Sequence, residues 1–221
     1  LDYAILVISG TDGVQGHTMT LWRLLERYGI PVFLFVNKMD LAGADRSALL
    51  AGLKARLDEG CVGFGPGQDR DSWLENVAVC GEDVLERYLE AGAVAEEDIA
   101  ALVRARKLFP CYFGSALRLE GVEELLSGLR KYGGSPEYPP EFGARVYKIA
   151  RDPQGNRLTY LKVTGGSLKV KALLTNRRAA LAEEKVWEEK ADQIRIYSGA
   201  KFTPVDEAPA GTVCAVTGLS H

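Results

Sequence analysis

Residues 33–40 read FLFVNKMD, an apolar run that stops abruptly at Asn37-Lys38-Met39-Asp40. The run belongs to PVFLFVN (31–37), and a second nearly continuous apolar stretch, YAILVIS, lies at 3–9. Unbroken apolar runs of this length are the pattern of parallel strands covered on both faces. Between them, HTMTLWRLLERYG places Met19, Trp22, Leu24 and Leu25 on one expected helical face and ends in glycine. Strand, helix and strand within so short a span make a βαβ unit, so the fold class of this half is α/β with a parallel sheet.

Outward from that unit, helices are expected at 45–59, 82–91, 96–107 and 121–132, with a Gly-rich loop, GCVGFGPGQ, at 60–68. Val122, Leu125, Leu126 and Leu129 form the apolar stripe of the last helix. A third buried strand, PCYFG (110–114), precedes it, giving a three-stranded parallel sheet from 3–9, 31–37 and 110–113 with the first strand at an open edge. The stretch YGGSPEYPPEFG (132–143) interrupts every periodicity, and a linker is expected over 133–141. Beyond it, ARVYKIARDPQGNRLTYLKVTGGSLKVKALL alternates apolar and polar residues and turns at Pro153–Asn156 and Gly165-Gly166. With DQIRIYSG (192–199) and GTVCAVTGL (211–219), residues 142–221 read as a small antiparallel β-barrel or sandwich.

The chain has 221 residues, 47% of them hydrophobic, enough for two small cores. No run approaches the ~20 apolar residues of a membrane span, so no membrane partner and a cytoplasmic location are expected. Cys61, Cys80, Cys111 and Cys214 are widely separated, with only His17 and His221 to assist them, so no metal site is readable and free thiols are expected. The net charge of −3 divides unevenly: residues 1–140 hold 14 Lys+Arg against 21 Asp+Glu, and residues 141–221 hold 13 against 9. The second half is thus mildly basic, as an RNA-facing surface or an ordinary solvated one would be.

The chemistry concentrates where the parallel strands end, which is where open α/β sheets bind ligands. A carboxylate at Asp40 can accept from both N1–H and the exocyclic amine of guanine, donors that adenine lacks. Buried acceptors left unpaired by the wrong base discriminate by up to ~10⁴-fold. Lys38 can lay its stem over the base plane, and the Asn37 amide can tie neighbouring loops together. After the third strand, Gly114-Ser115-Ala116-Leu117 is a turn without bulk whose backbone N–H groups can face a carbonyl such as guanine O6. The candidate base-binding set is therefore Asn37, Lys38, Asp40, Ser115, Ala116 and Leu117, with guanine nucleotide as ligand.

These residues carry a resemblance. LDYAILVISGTDGVQGHTMTLWRLLERYGIPVFLFVNKMD resembles translational GTPases of the elongation factor G type from just after switch II to the guanine-specificity loop. LFPCYFGSALRLEGVEELL is more similar to the ribosomal protection tetracycline-resistance proteins, and FGARVYKIARDPQGNRLTYLKVTGGSLKV, with IRIYSG and AGTVCAVTGL, resembles the β-barrel domain II of the group. The resemblance implies a partial GTPase domain at 1–132 with a helical insert at about 43–109, followed by domain II. It also implies GTP as ligand, Mg²⁺ in an intact parent, and the ribosome, its RNA and proteins, as partner. Arg177, Arg178 and Lys185 are the expected ribosome-facing residues of the barrel.

The phosphate loop, switch I and the switch II Asp-x-x-Gly of this group have no counterpart here. Asp40–Gly43 and Asp152–Gly155 match Asp-x-x-Gly but lie in the wrong places, and His17 reads as a surface residue at a helix start. The expectation is a truncated chain without catalytic residues of its own, inactive as a GTP hydrolase and prone to self-association through its exposed first strand. An elongation factor G-like translocase or a release-factor GTPase is the alternative within the class. A non-catalytic ribosome-binding module is the alternative outside it.

Overall fold

The computed structural model describes residues 1–41, 43–134, 136–176 and 187–220. Arg177, Arg178 and Lys185 therefore lie outside the described residues. The chain divides into two compact units, Leu1–Ser135 and Pro136–His221.

The first unit is a four-stranded parallel sheet flanked by helices. Its strands are β1 (Ala4–Ser9), β2 (Val32–Asn37), β3 (Cys61–Gly63) and β4 (Phe109–Phe113), in the order β1-β2-β4-β3. The helices are α1 (Gly16–Arg27), α2 (Arg46–Arg56), α3 (Arg70–Ala78), α4 (Glu82–Ala91), α5 (Glu96–Arg104) and α6 (Val122–Tyr132). Side chains alternate across a strand, so β2 feeds two cores at once. Phe33 and Phe35 join Tyr112, Ile99, Val103 and Leu125 on the side of α3–α6. Leu34 and Val36 join Cys61, Cys111, Phe109, Trp22 and Leu53 on the side of α1 and α2. Trp22 meets the Phe109 ring edge-on at 4.7 Å between centroids, and Asp45 caps α2 by accepting from the Ser47 and Ala48 N–H groups at 2.9 and 3.3 Å.

Three expectations need correction. The sheet has four strands, because Cys61-Val62-Gly63 within the expected Gly-rich loop is fully buried and pairs with Phe109-Pro110-Cys111. The insert at 43–109 is accordingly not wholly helical. Second, β1 is not covered on both faces: Ile5 and Val7 are 43% and 58% exposed, since β1 is the edge strand and no described helix lies over that face of it. Third, Leu24 and Leu126 point outward; each is adjacent to a neighbour, Leu25 or Leu125, that faces the core instead. Helix α3 is also absent from the sequence reading, its nine residues RDSWLENVA being short and flanked by loop-like sequence.

The second unit contains β5 (Gly143–Arg151), β6 (Arg157–Gly165), β7 (Ser167–Lys169), β8 (Leu173–Thr175), β9 (Glu188–Lys190), β10 (Gln193–Ser198), β11 (Lys201–Val205), β12 (Glu207–Pro209) and β13 (Val213–Thr217). An antiparallel five-stranded sheet, β11-β10-β13-β6-β5, and the pairs β12-β7 and β8-β9 enclose Leu161, Val163, Leu168, Ile194, Cys214 and Val216. The β5–β6 turn is fixed by Asp152, whose carboxylate accepts from the Asn156 and Gln154 N–H groups at 2.8 and 3.1 Å. Strand β11 is not expected from the sequence because Pro204 interrupts it; the proline is tolerated because β11 is the sheet edge.

Candidate functional site

Parallel pairing brings the carboxyl ends of β1, β2 and β4 to one edge of the sheet, and Asn37 is the residue that joins them. Its side-chain oxygen accepts from the N–H of Lys38 and from the N–H of Ala116, each at 2.8 Å. Its backbone carbonyl accepts from Gly10 just beyond β1 at 2.7 Å. Met39 N–H donates to the Gly114 carbonyl at 3.1 Å, and Gly114 N–H to the Val36 carbonyl at 2.9 Å. The approach is too close for side chains: a Cβ on Gly10 would stand 3.0 Å from both the Asn37 carbonyl oxygen and Met39 Sδ, and one on Gly114 would stand 2.0 Å from the Glu120 carbonyl oxygen.

The loop after β4 is closed by a reciprocal pair, Ser115 N–H to the Glu120 carbonyl and Glu120 N–H to the Ser115 carbonyl, both 3.0 Å. Ser115 is buried, Ala116 lies at the surface, and Leu117 is 92% exposed at the loop tip. The expectation that the backbone N–H groups of this turn face a ligand carbonyl needs revision. Those of Ser115 and Ala116 are engaged by Glu120 and Asn37, so they shape the loop.

Lys38 adopts φ +66°, the left-handed conformation, which turns the chain sharply after the strand. Asp40 follows with its carboxylate mostly enclosed, 12% exposed, and its Oδ2 lies 3.4 Å from Arg118 Nε. Arg118 is 59% exposed, so this single contact is a weak tether of about 0–1 kcal/mol. Asp12, in the turn after β1, has its carboxyl held below the usual range by hydrogen bonds from Ser9 and Thr11, with the Lys38 charge assisting. Sequence reasoning does not find Asp12, Arg118 and Gly10. Only the fold brings them near Asn37–Asp40, although the Thr-Asp-Gly turn directly after an apolar strand is a signal in the right place.

The arrangement offers a near-buried carboxylate acceptor, a lysine stem and a bulk-free loop on one sheet edge, which suits a planar heterocycle bearing adjacent N–H donors. Among the described residues no three His, Cys, Asp or Glu side chains are grouped to hold a metal ion, so the residues present do not fit Mg²⁺. The most enclosed cavity, about 300 Å³ between β1, β2 and α2, is lined by Gly10, Asp12, Asp45 and Arg56 and does not include Asp40 or Ser115. No helix among the described residues is long and apolar enough to cross a membrane.

Comparison with known proteins agrees with this geometry. Over 99% of its length the chain is 28% identical to elongation factor G of Ureaplasma parvum serovar 3, and 27% identical to elongation factor G of Ureaplasma urealyticum serovar 10. It spans 41% of each of those proteins, about two-fifths of their length. A protein of Thermus thermophilus of known crystal structure shares the fold with a TM-score of 0.78 and 24% identity, over 98% of this chain and 38% of that one. Residues 1–133 match the elongation factor Tu GTP binding domain, and the chain belongs to that family.

Proposed function

We propose that this chain is the guanine-reading part and the adjoining β-barrel domain of a ribosome-associated translational GTPase of the elongation factor G type. Asp40 is the base-reading acceptor, Lys38 covers one face of the base, and Asn37 holds Ser115, Ala116 and Leu117 against the other side. The observation that carries the reading is the link from Asn37 to Ala116, which sets the base-reading loop and the Ser-Ala-Leu loop side by side. Residues 1–132 form the GTP-binding unit with its insert at about 43–109, 133–141 the connection, and 142–221 the domain that contacts the ribosome in the cytoplasm. Within the class, the sequence LFPCYFGSALRLEGVEELL favours a ribosomal protection, tetracycline-resistance role over a translocase or release-factor role. Residues 1–221 alone bind the base without hydrolysing GTP, because none of the described residues fits Mg²⁺ or positions an attacking water.

The test is base preference rather than turnover. Isotope-labelled protein titrated with guanosine and xanthosine diphosphates is expected to respond to the guanine nucleotide at the amides of Lys38–Asp40 and Ala116–Leu117. Asp40→Asn should reverse the preference, since an amide can donate to the 2-oxo group that replaces the guanine amine. Unchanged preference in that variant would show that Asp40 does not read the base.

A further inference from the structure

The outward face of the five-stranded sheet in Pro136–His221 carries a line of aromatic rings that runs across the strands. Tyr147 on β5, Tyr160 on β6, Tyr197 on β10 and Phe202 on β11 follow one another with centroids 6.3, 5.6 and 5.5 Å apart. The line crosses β13 at Ala215, which pairs with both Tyr160 and Arg195, and so small a residue lets the rings of Tyr160 and Tyr197 meet above it. Tyr147 is 57% exposed and Phe202 is also exposed, although isolated hydrophobic packing would place such rings inside.

Cations accompany the rings. Lys148 Nζ lies 5.4 Å from the Tyr160 centroid and the Arg195 guanidinium 4.4 Å from that of Phe202. On the same face Arg145 stands directly opposite Lys162 in the β5–β6 ladder. Like charges placed opposite each other destabilise a sheet unless an anion lies between them. Residues 141–221 as a whole carry 13 Lys+Arg against 9 Asp+Glu.

We propose that this face binds single-stranded RNA, stacking unpaired bases on Tyr147, Tyr160, Tyr197 and Phe202 while Arg145, Lys148 and Lys162 hold the phosphates. Every base has a π-face, so a row of rings takes successive bases without reading sequence, and cations beside the rings track the backbone. A protein partner would equally use tyrosine and arginine, but it would gain nothing from the opposed Arg145 and Lys162. A duplex keeps its bases stacked inside and could use only the cations. The inference does not depend on the guanine-loop reading, and its test leaves that site untouched.

Fluorescence anisotropy with a labelled single-stranded RNA of about 12 nucleotides, and with its duplex, tests the face directly. The single strand should bind more tightly than the duplex, and its binding should weaken as salt rises. Tyr147→Leu should weaken single-strand binding at least about fivefold while Tyr147→Phe retains it, which separates stacking from hydroxyl bonding. Lys148→Glu, on the exposed surface, should weaken both single strand and duplex and provides a variant that keeps the fold. Equal affinity for duplex and single strand, an unaltered affinity in Tyr147→Leu, or no binding at low salt would each overturn the proposal. So would a protein ligand that occupies the face without competition from RNA.

Discussion

The side-chain oxygen of Asn37 accepts a hydrogen bond from the backbone N–H of Ala116 at 2.8 Å, across 79 positions of sequence. The same oxygen accepts from Lys38 N–H, so one amide fixes both loops at the sheet edge. Asn37→Ala removes the acceptor and leaves both N–H groups to find water. A loss of about 1–3 kcal/mol is expected. Urea unfolding of the first unit measures it, and amide exchange at Ala116 should accelerate more than at Val36, which stays in the β2–β4 ladder. Equal protection of Ala116 in both proteins would count against Asn37 as the tie.

Gly128 on α6 faces Tyr112 so closely that a Cβ would stand 1.7 Å from the phenolic oxygen and 2.6 Å from the ring carbon bearing it. Both elements are buried, Tyr112 among the residues of the α3–α6 core. Gly128→Ala therefore forces the helix or the ring to move. Overpacking of this kind costs about 1–3 kcal/mol. Removing the hydroxyl in the Gly128→Ala background, with Tyr112→Phe, should recover part of the loss and no more, since the ring carbon still crowds the new methyl. A double-mutant cycle in thermal or urea unfolding checks this; full additivity of the two changes would show that they do not meet.

In the second unit, burial raises the pKa of Asp152, but hydrogen bonds from Asn156, Arg195 and Gln154 outweigh it and leave the carboxyl below its ordinary value. Arg195 Nη1 lies 3.3 Å from Asp152 Oδ2, with both side chains largely enclosed. A carboxyl whose folded pKa is depressed adds stability above its unfolded value, near 3.9, and that stability disappears as pH falls through the folded pKa. The second unit should consequently lose stability below about pH 4. Asp152→Asn should be less stable than the parent at pH 7, with the difference shrinking as the pH is lowered towards 2. Urea midpoints at several pH values give the comparison, and a difference that stays constant with pH would assign the effect to shape rather than charge.

The distribution of legible and hidden features follows from how each is specified. Strands β1, β2 and β4 and helix α6 are written locally, as apolar runs or stripes, and Asn37 and Asp40 are readable because they end such a run. Strand β3 spans only three residues, Cys61–Gly63, and is a strand because β4 offers it an edge. Strand β9, Glu188–Lys190, has no apolar alternation at all and exists through pairing with β8. Arg118 is equally hidden, because its nearness to Asp40 depends on the closed Ser115–Glu120 loop. The engagement of the Ser115 and Ala116 N–H groups inside the protein is a property of two distant loops meeting, which no spacing rule contains.

The last prediction concerns the edge of the parallel sheet. Within Leu1–Ser135, β1 is laddered to β2 alone, and Ile5 and Val7 expose apolar side chains beside its other edge. A strand with unpaired backbone groups and apolar neighbours is a template for another strand. Association of the 221-residue protein through β1 is therefore expected to rise with concentration, and sedimentation velocity over a wide concentration range should show it. Natural edges are protected by charge, lysine above all, so Val7→Lys should suppress association while leaving Leu6 and Ile8 in the α1–α2 core. Because Val7 is more than half exposed, the substitution should cost little stability in the monomer. If the parent stays monomeric at millimolar concentration, or if Val7→Lys associates as the parent does, β1 is not the surface that joins the chains.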